Sequence, residues 1–232
     1  LSMEIRAGTV HSLIGPNGAG KTTLVNILSG FYRPTAGEVF FQGRRATGWT
    51  AHRMVEIGVA RTFQTTHLFP RLTVLENVMV GLHQHLPEGL GHALLRTPRL
   101  RKTERRAERE ALAALEFVGF PGDPLEKAGN LAFGHQRLLE IARALVTRPV
   151  LLLLDEPAAG LTSWEITEID KLITRIKALG VTVLLIEHHM DLVMGISDYL
   201  TVLDYGKKIA EGPPEEVQAN PQVVEAYLGH EV

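Results

Sequence analysis

Thr9-Val10-His11-Ser12-Leu13-Ile14-Gly15-Pro16-Asn17-Gly18-Ala19-Gly20-Lys21-Thr22 begins as a β-rich run and closes on a Gly-x-x-x-x-Gly-Lys-Thr pattern. Lys21 to Leu28 continues with helical spacing, so the segment reads strand, loop, helix. That order is the context in which the pattern acts as a phosphate-binding loop. The glycines let the backbone curl until its N–H groups converge on phosphate oxygens, and the helix start adds a favourable dipole. Gly15, Pro16, Asn17, Gly18, Ala19, Gly20, Lys21, Thr22 and Thr23 are therefore the candidate nucleotide-binding residues. Lys21 would sit on the β- and γ-phosphates, Thr22 on Mg2+ and Thr23 near the α-phosphate. The competing reading is a glycine-rich turn that merely links strand to helix; average residue frequencies make a chance match in such a chain on the order of one in a hundred.

Further candidates end apolar strands. Val150-Leu151-Leu152-Leu153-Leu154-Asp155-Glu156-Pro157 finishes on two carboxylates, an unusual end for a buried strand. Ligands of open α/β sheets gather at the carboxyl ends of strands. Asp155 is thus placed to hold Mg2+, and Glu156 to orient and deprotonate an attacking water. The plainer alternative is a helix-capping pair leaving the strand. Val183-Leu184-Leu185-Ile186-Glu187-His188-His189 again ends on polar groups, and the His188 imidazole could hydrogen-bond a γ-phosphate and the lytic water. Gly58-Val59-Ala60-Arg61-Thr62 reads as a strand leading through Phe63 to Gln64, whose amide can ligate Mg2+ and sense the γ-phosphate. Leu131-Ala132-Phe133-Gly134-His135-Gln136-Arg137 precedes the helical run Leu138 to Leu145, offering a second set of backbone donors at a positive helix end. If that segment lies in a separate helical part, it suits a neighbouring chain's nucleotide. By itself it is also an ordinary loop before a helix.

The 232 residues suffice for one compact α/β domain with a subdomain. A net charge of −2 argues against nucleic acid as the main partner, because duplex binding is carried by surplus Lys and Arg. The absence of cysteine excludes disulfides and thiolate metal sites and fits a reducing cytoplasm. Apolar runs fall far short of the roughly 20 residues a spanning helix needs. The opening Leu1-Ser2-Met3-Glu4-Ile5-Arg6 carries no basic-then-apolar leader and reads as the middle of a strand, with residues expected upstream. Gly37 to Gly43 reads as a strand between turns. From Thr73 to about Val146 the pattern is helical, opening on a Thr73/Glu76 capping box and broken at 87–91 and 121–124. Strands return at Val150–Leu154, Val181–Ile186 and Tyr199–Leu203. Helices lie between them at about Trp164–Leu179 and Met190–Gly195, and one or two more follow Gly212-Pro213-Pro214. Apolar strands alternating with helices imply a parallel sheet covered on both faces.

These elements in this order resemble the ABC ATPase family: Walker A at Gly15 to Thr22, Q-loop at Gln64, signature at Leu131, Ala132, Phe133, Gly134 and His135, Walker B at Leu151 to Glu156, and switch His188. The resemblance spans essentially the whole chain. It implies an α/β P-loop NTPase of RecA-like type: a parallel sheet with covering helices, an antiparallel β subdomain and an inserted α-helical subdomain. The core would be 1–66 with 149–232, and the helical part 67–148. Arg61-Thr62-Phe63-Gln64, the Arg-rich insertion after Leu95, Pro157-Ala158-Ala159-Gly160-Leu161 and Ala226-Tyr227-Leu228-Gly229 look like the ATP-binding subunits of branched-chain amino acid importers.

By that resemblance ATP and Mg2+ are bound, and two ATPase subunits, alike or different, close head to tail. Each nucleotide is then buried between one P-loop and the other subunit's signature. The helical part would push two membrane permease subunits, supplied by an extracytoplasmic binding protein, from the cytoplasmic side of the inner membrane. Urea, amides or aromatic acids are alternative cargoes, and a soluble ABC protein of repair or translation is the alternative outside transport. A small-molecule kinase or GTPase would need an acceptor lid or an Asn-Lys-x-Asp motif, and neither is evident. Ala132 stands where the family commonly has Ser, and Thr162 where it has an acidic or amide residue. The adenine-stacking aromatic is expected before Leu1. Arg96 to Glu110 reads as a solvated charged face, with anionic headgroups or permease loops as the alternative contact. His83, His85 and His92 cluster with only Glu88 as a nearby carboxylate, a poor metal site.

Overall fold

The computed structural model describes residues 1–63, 67–82, 98–188 and 190–228. Gln64, the 87–91 break, the histidines at 83, 85, 92 and 189, and Glu88 lie outside them. The chain divides into two compact units, Leu1–Gln64 with Val150–Val232, and Thr65–Pro149.

The first unit is built on a six-stranded sheet. Its strands are β1 (Val10–Ile14), β4 (Val59–Arg61), β5 (Leu151–Asp155), β6 (Thr182–Ile186), β7 (Tyr199–Asp204) and β8 (Lys207–Gly212), with β2 (Phe40–Phe41) and β3 (Arg44–Arg45) forming a separate hairpin. The order is β4-β5-β6-β1-β7-β8, parallel except for β8, which runs antiparallel to β7. Every residue of β1, β5 and β6 is buried. Apolar side chains on both faces are what such strands require when helices cover each side.

Alternation along β1 divides the core. Leu13 points to a cluster with Val25, Met54, Leu153, Leu184 and Leu203, under the helices Lys21–Leu28 and Ala51–Glu56. Ile14 points to the other face, with Val193, Leu200, Val202 and Val217, under Met190–Ile196 and Pro214–Gln218.

Three segments differ from the sequence reading. Leu1–Arg6 joins no strand: Met3 and Ile5 do alternate inward onto the first cluster, but no ladder forms. Of Gly37–Gly43 only Phe40–Phe41 pairs, because Gln42 (φ 49°) and Gly43 (φ 74°) turn the chain back at once in a hairpin with two left-handed residues. Strand β8 has no apolar signature in the sequence, since Lys207-Lys208-Ile209-Ala210-Glu211-Gly212 carries few apolar residues. As an edge strand it needs only Ala210 and Gly212 turned inward.

The second unit contains the helices Val74–Gly81, Pro98–Phe117 and Phe133–Leu145. Thr73 forms its capping box as read: its hydroxyl accepts from Glu76 N–H at 3.1 Å, and Glu76 Oε2 accepts from Thr73 N–H at 2.7 Å. On Pro98–Phe117, Ala107, Ala111 and Leu115 are buried at four-residue spacing. Arg105, Arg106 and Arg109 are exposed, and Arg106 pairs with Glu110 at 2.8 Å. Among the described residues no helix is long and apolar enough to cross a membrane.

His11 in β1 is fully buried. The Thr201 hydroxyl donates to Glu211, so it accepts from His11 Nε2–H at 2.8 Å, and Nδ1 is left without a partner among the described residues. Burial lowers its pKa from 6.5 to about 4, against the pull of Glu211 and with smaller help from Arg6 and Lys208. The folded value lies below the unfolded one, so as pH falls from 6.5 to about 4 protons bind the unfolded chain first and stability is lost. Below that window the loss levels off. His11→Gln is therefore expected to flatten the drop in denaturation midpoint between neutral pH and the low end of that window, measured by urea unfolding at each pH.

Candidate active site

The glycine-rich loop leaves β1 at the middle of the sheet. A Cβ on Gly15 (φ 148°) would lie 2.1 Å from the Leu203 carbonyl oxygen of β7, so only glycine lets the chain pass. The loop then folds on itself, Ala19 N–H donating to Pro16 O at 3.2 Å, and Gly206 of the β7–β8 turn donates to Ala19 O at 2.9 Å. The helix Lys21–Leu28 starts at Gly20 with no side-chain cap, which leaves its first N–H groups for a ligand to satisfy. Lys21 Nζ donates to Gly15 O at 2.6 Å and Pro16 O at 3.0 Å. Burial pushes the Lys21 pKa down, and the carboxylates of Glu156 and Asp155 oppose the shift. Thr22 and Thr23 are exposed on the first turn.

Register brings the remaining groups of this unit to the same level. Ile186 of β6 stands opposite both Leu13 of β1 and Asp155 of β5, so all three strands end together. Glu156 adopts φ 48°, a left-handed conformation that costs a non-glycine residue about 1 kcal/mol or more. It is held there by its N–H, which donates to Ile186 O at 2.9 Å. Its Oε1 meets His188 Nε2 at 2.7 Å, with the imidazole partly open to solvent. An acceptor carboxylate beside an imidazole at the end of two buried strands can hold a water and move a proton from it.

Arg61, marked in the sequence only as part of the importer-like Arg61–Gln64 block, also belongs to this cluster. Its guanidinium pairs with Asp155 Oδ2 at 2.8 Å and donates to Asn26 Oδ1 at 2.6 Å and Ser29 Oγ at 3.0 Å. Both ion-pair side chains are over nine-tenths buried. Phe63 lies under the same guanidinium at 4.9 Å and meets Phe31 edge-on. A readable signal was present: an arginine ending a buried strand needs a buried anion, and Asp155 ends the adjacent one. Gln64 follows directly and lies outside the described residues.

The Leu131–His135 segment belongs to the second unit. Ala132 occupies the N-cap of Phe133–Leu145 with no side-chain cap. Gln136 instead folds back, its Nε2 donating to Leu131 O at 2.9 Å, and the His135 ring packs edge-on against Phe120. Deeper in that helix Arg137 and Glu140 form a buried pair at 3.0 Å. Glu140 Oε1 accepts from His67 N–H at 2.9 Å while Arg143 donates to His67 O at 2.7 Å, so one residue's backbone is held from both sides. Burial raises the Glu140 pKa, against the His67 N–H and Arg137.

A phosphate loop after the central strand of a parallel sheet, with paired acidic residues closing β5, defines a P-loop NTPase. The family model for "ABC transporter" matches residues 1–159, and that for "Branched-chain amino acid ATP-binding cassette transporter" matches 207–232. The high-affinity branched-chain amino acid transport ATP-binding protein LivG of Salmonella typhimurium is 48% identical over 99% of this chain and 90% of its own length. BraF of Pseudomonas aeruginosa, described by the same function, is 45% identical over the same shares. Among solved structures, the ADP conformation of MJ1267, an ATP-binding cassette of an ABC transporter, superposes with a TM-score of 0.84 at 35% identity, covering 99% of this chain and 91% of that one. The chain belongs to the ABC transporter family and is an ATP-binding, ATP-hydrolysing cassette.

Thr162 follows the Pro157–Leu161 loop as the N-cap of the helix Ser163–Ala178: its hydroxyl caps Glu165 N–H, and Glu165 Oε2 accepts from Thr162 N–H at 2.8 Å. Thr162→Ala should cost about 1 kcal/mol by urea denaturation. Ala132→Ser, which supplies the missing cap hydroxyl, should gain about 0.5 kcal/mol or more in the same measurement.

Proposed function

We propose that this chain is the ATP-hydrolysing subunit of an importer for branched-chain amino acids. The catalytic part of the reading is carried by the 2.7 Å approach of Glu156 to His188 beside the P-loop. The backbone from Gly15 to Thr23 binds the triphosphate, with the Lys21 ammonium on its β- and γ-phosphates. Glu156 takes the proton from the attacking water. His188 keeps the Glu156 carboxylate oriented and donates toward the γ-phosphate.

The Thr22 hydroxyl, the Gln64 amide and the Asp155 carboxylate are oxygen donors of the kind a hard divalent cation takes. Mg2+ bound there would neutralise charge on the β- and γ-oxygens.

The Leu131–His135 segment, at a helix start, is assigned to the nucleotide of a second ATPase subunit, so that turnover requires a dimer. Two permease subunits and an extracytoplasmic binding protein complete the importer, and the cassette sits at the cytoplasmic side of the inner membrane. The substrate class rests on the branched-chain family match at 207–232 and on what LivG and BraF are described as transporting.

Glu156→Gln should lower steady-state ATP hydrolysis by about a hundredfold or more while nucleotide binding persists. Lys21→Ala should abolish tight binding. Turnover by Glu156→Gln at the parental rate would remove Glu156 as base. Cells lacking this chain should lose uptake of labelled leucine, isoleucine and valine; loss of labelled urea uptake alone would reassign the cargo.

A further inference from the structure

Glu187 lies between the last residue of β6 and His188, and its side chain is 1% exposed. Its two carboxylate oxygens reach in different directions. Oε1 accepts from the N–H of Ala158 at 2.7 Å, and Oε2 accepts from the N–H of His188 at 3.0 Å. Ala158 lies two residues beyond Glu156 and is itself fully buried. The loop that carries Glu156 and the loop that carries His188 are thus tied at three points: Glu156 N–H to Ile186 O, Glu156 Oε1 to His188 Nε2, and the Glu187 carboxylate between Ala158 and His188.

We propose that Glu187 is a positioning residue for ATP hydrolysis, bracing the two loops so that Glu156 and His188 meet. The proposal rests on the reading of Glu156 as the base. Glu156 occupies a left-handed conformation that a free loop would relax, so the loop after it must be held from outside. A carboxylate suits that task because it accepts on both oxygens, and charge-assisted bonds to backbone N–H groups are stronger than neutral ones. An amide offers one acceptor and turns its NH2 toward the other N–H, leaving a buried donor unpaired. Glu187 itself is not assigned to touch nucleotide; it acts through the pair.

The test is a double-mutant cycle on the full chain with ATP and Mg2+, read as single-turnover hydrolysis and, separately, as nucleotide affinity and melting temperature. Glu187→Gln should lower the hydrolysis rate by about tenfold with affinity changed less than about twofold. In a His188→Ala background the same substitution should cost less than about twofold more, because the contact it serves is gone. Glu187→Asp, which keeps the charge but shortens the reach, should act in the same direction to a smaller degree if Glu187→Gln does not fold. Parental turnover in both Glu187 variants overturns the proposal, as does a full multiplicative loss in the His188→Ala background or an equal fall in affinity and rate. Glu156→Gln assayed alongside separates the two ideas. If it hydrolyses normally, the reading of the base has failed; if it is inactive while the Glu187 variants are normal, only the positioning role has.

Discussion

The backbone of Gly15 passes so close to the Leu203 carbonyl that a single methyl group would collide with it, and much of the site follows from that contact. It lets the phosphate loop run tight against β7 where β1 ends. The Gly206 N–H, one turn further on, grips Ala19 O from the same direction. Between these two points the loop is held in its curled path, which the Ala19 N–H to Pro16 O bond closes on itself. Preorganised donors need no rearrangement when a phosphate arrives.

A second constraint operates one strand away. Arg61 takes one oxygen of Asp155 and ties it to Asn26 and Ser29 of the P-loop helix, so the acidic end of β5 and the helix behind Lys21 form one buried polar network. A buried pair of this type is weak support for stability but strong support for fixed geometry: breaking one side leaves a charge stranded. Here that geometry sets the carboxylate orientation next to Glu156, the residue proposed as the base. Phe63, stacked beneath the guanidinium, carries the same constraint to the chain just before Gln64.

The parts of this molecule that were legible in the sequence share one property: their residue type and their position are demanded by the same local physics. Gly15 to Thr22 between a strand and a helix, Asp155-Glu156 at the end of five apolar residues, and the Thr73/Glu76 box all announce themselves within a dozen residues. Strand β8 and the hairpin at Phe40–Arg45 did not, because edge elements need little apolar pattern and depend on partners far along the chain. The Arg61–Asp155 and Glu187–Ala158 bonds were hidden for a related reason. Each joins residues that only the sheet order β4-β5-β6 brings together, and periodicity carries no information about strand order. Thr162, read as a departure from the family pattern, proves to be a helix cap, a role for which Thr serves alongside Asp and Asn.

In the helical unit, His67 has its N–H bound by Glu140 and its carbonyl bound by Arg143, side chains one turn apart on the same helix. The N–H and the carbonyl of one residue belong to successive peptide planes, so two neighbouring peptides are anchored to that helix. Displacing Phe133–Leu145 without the His67 backbone would therefore break two hydrogen bonds to charged side chains at once.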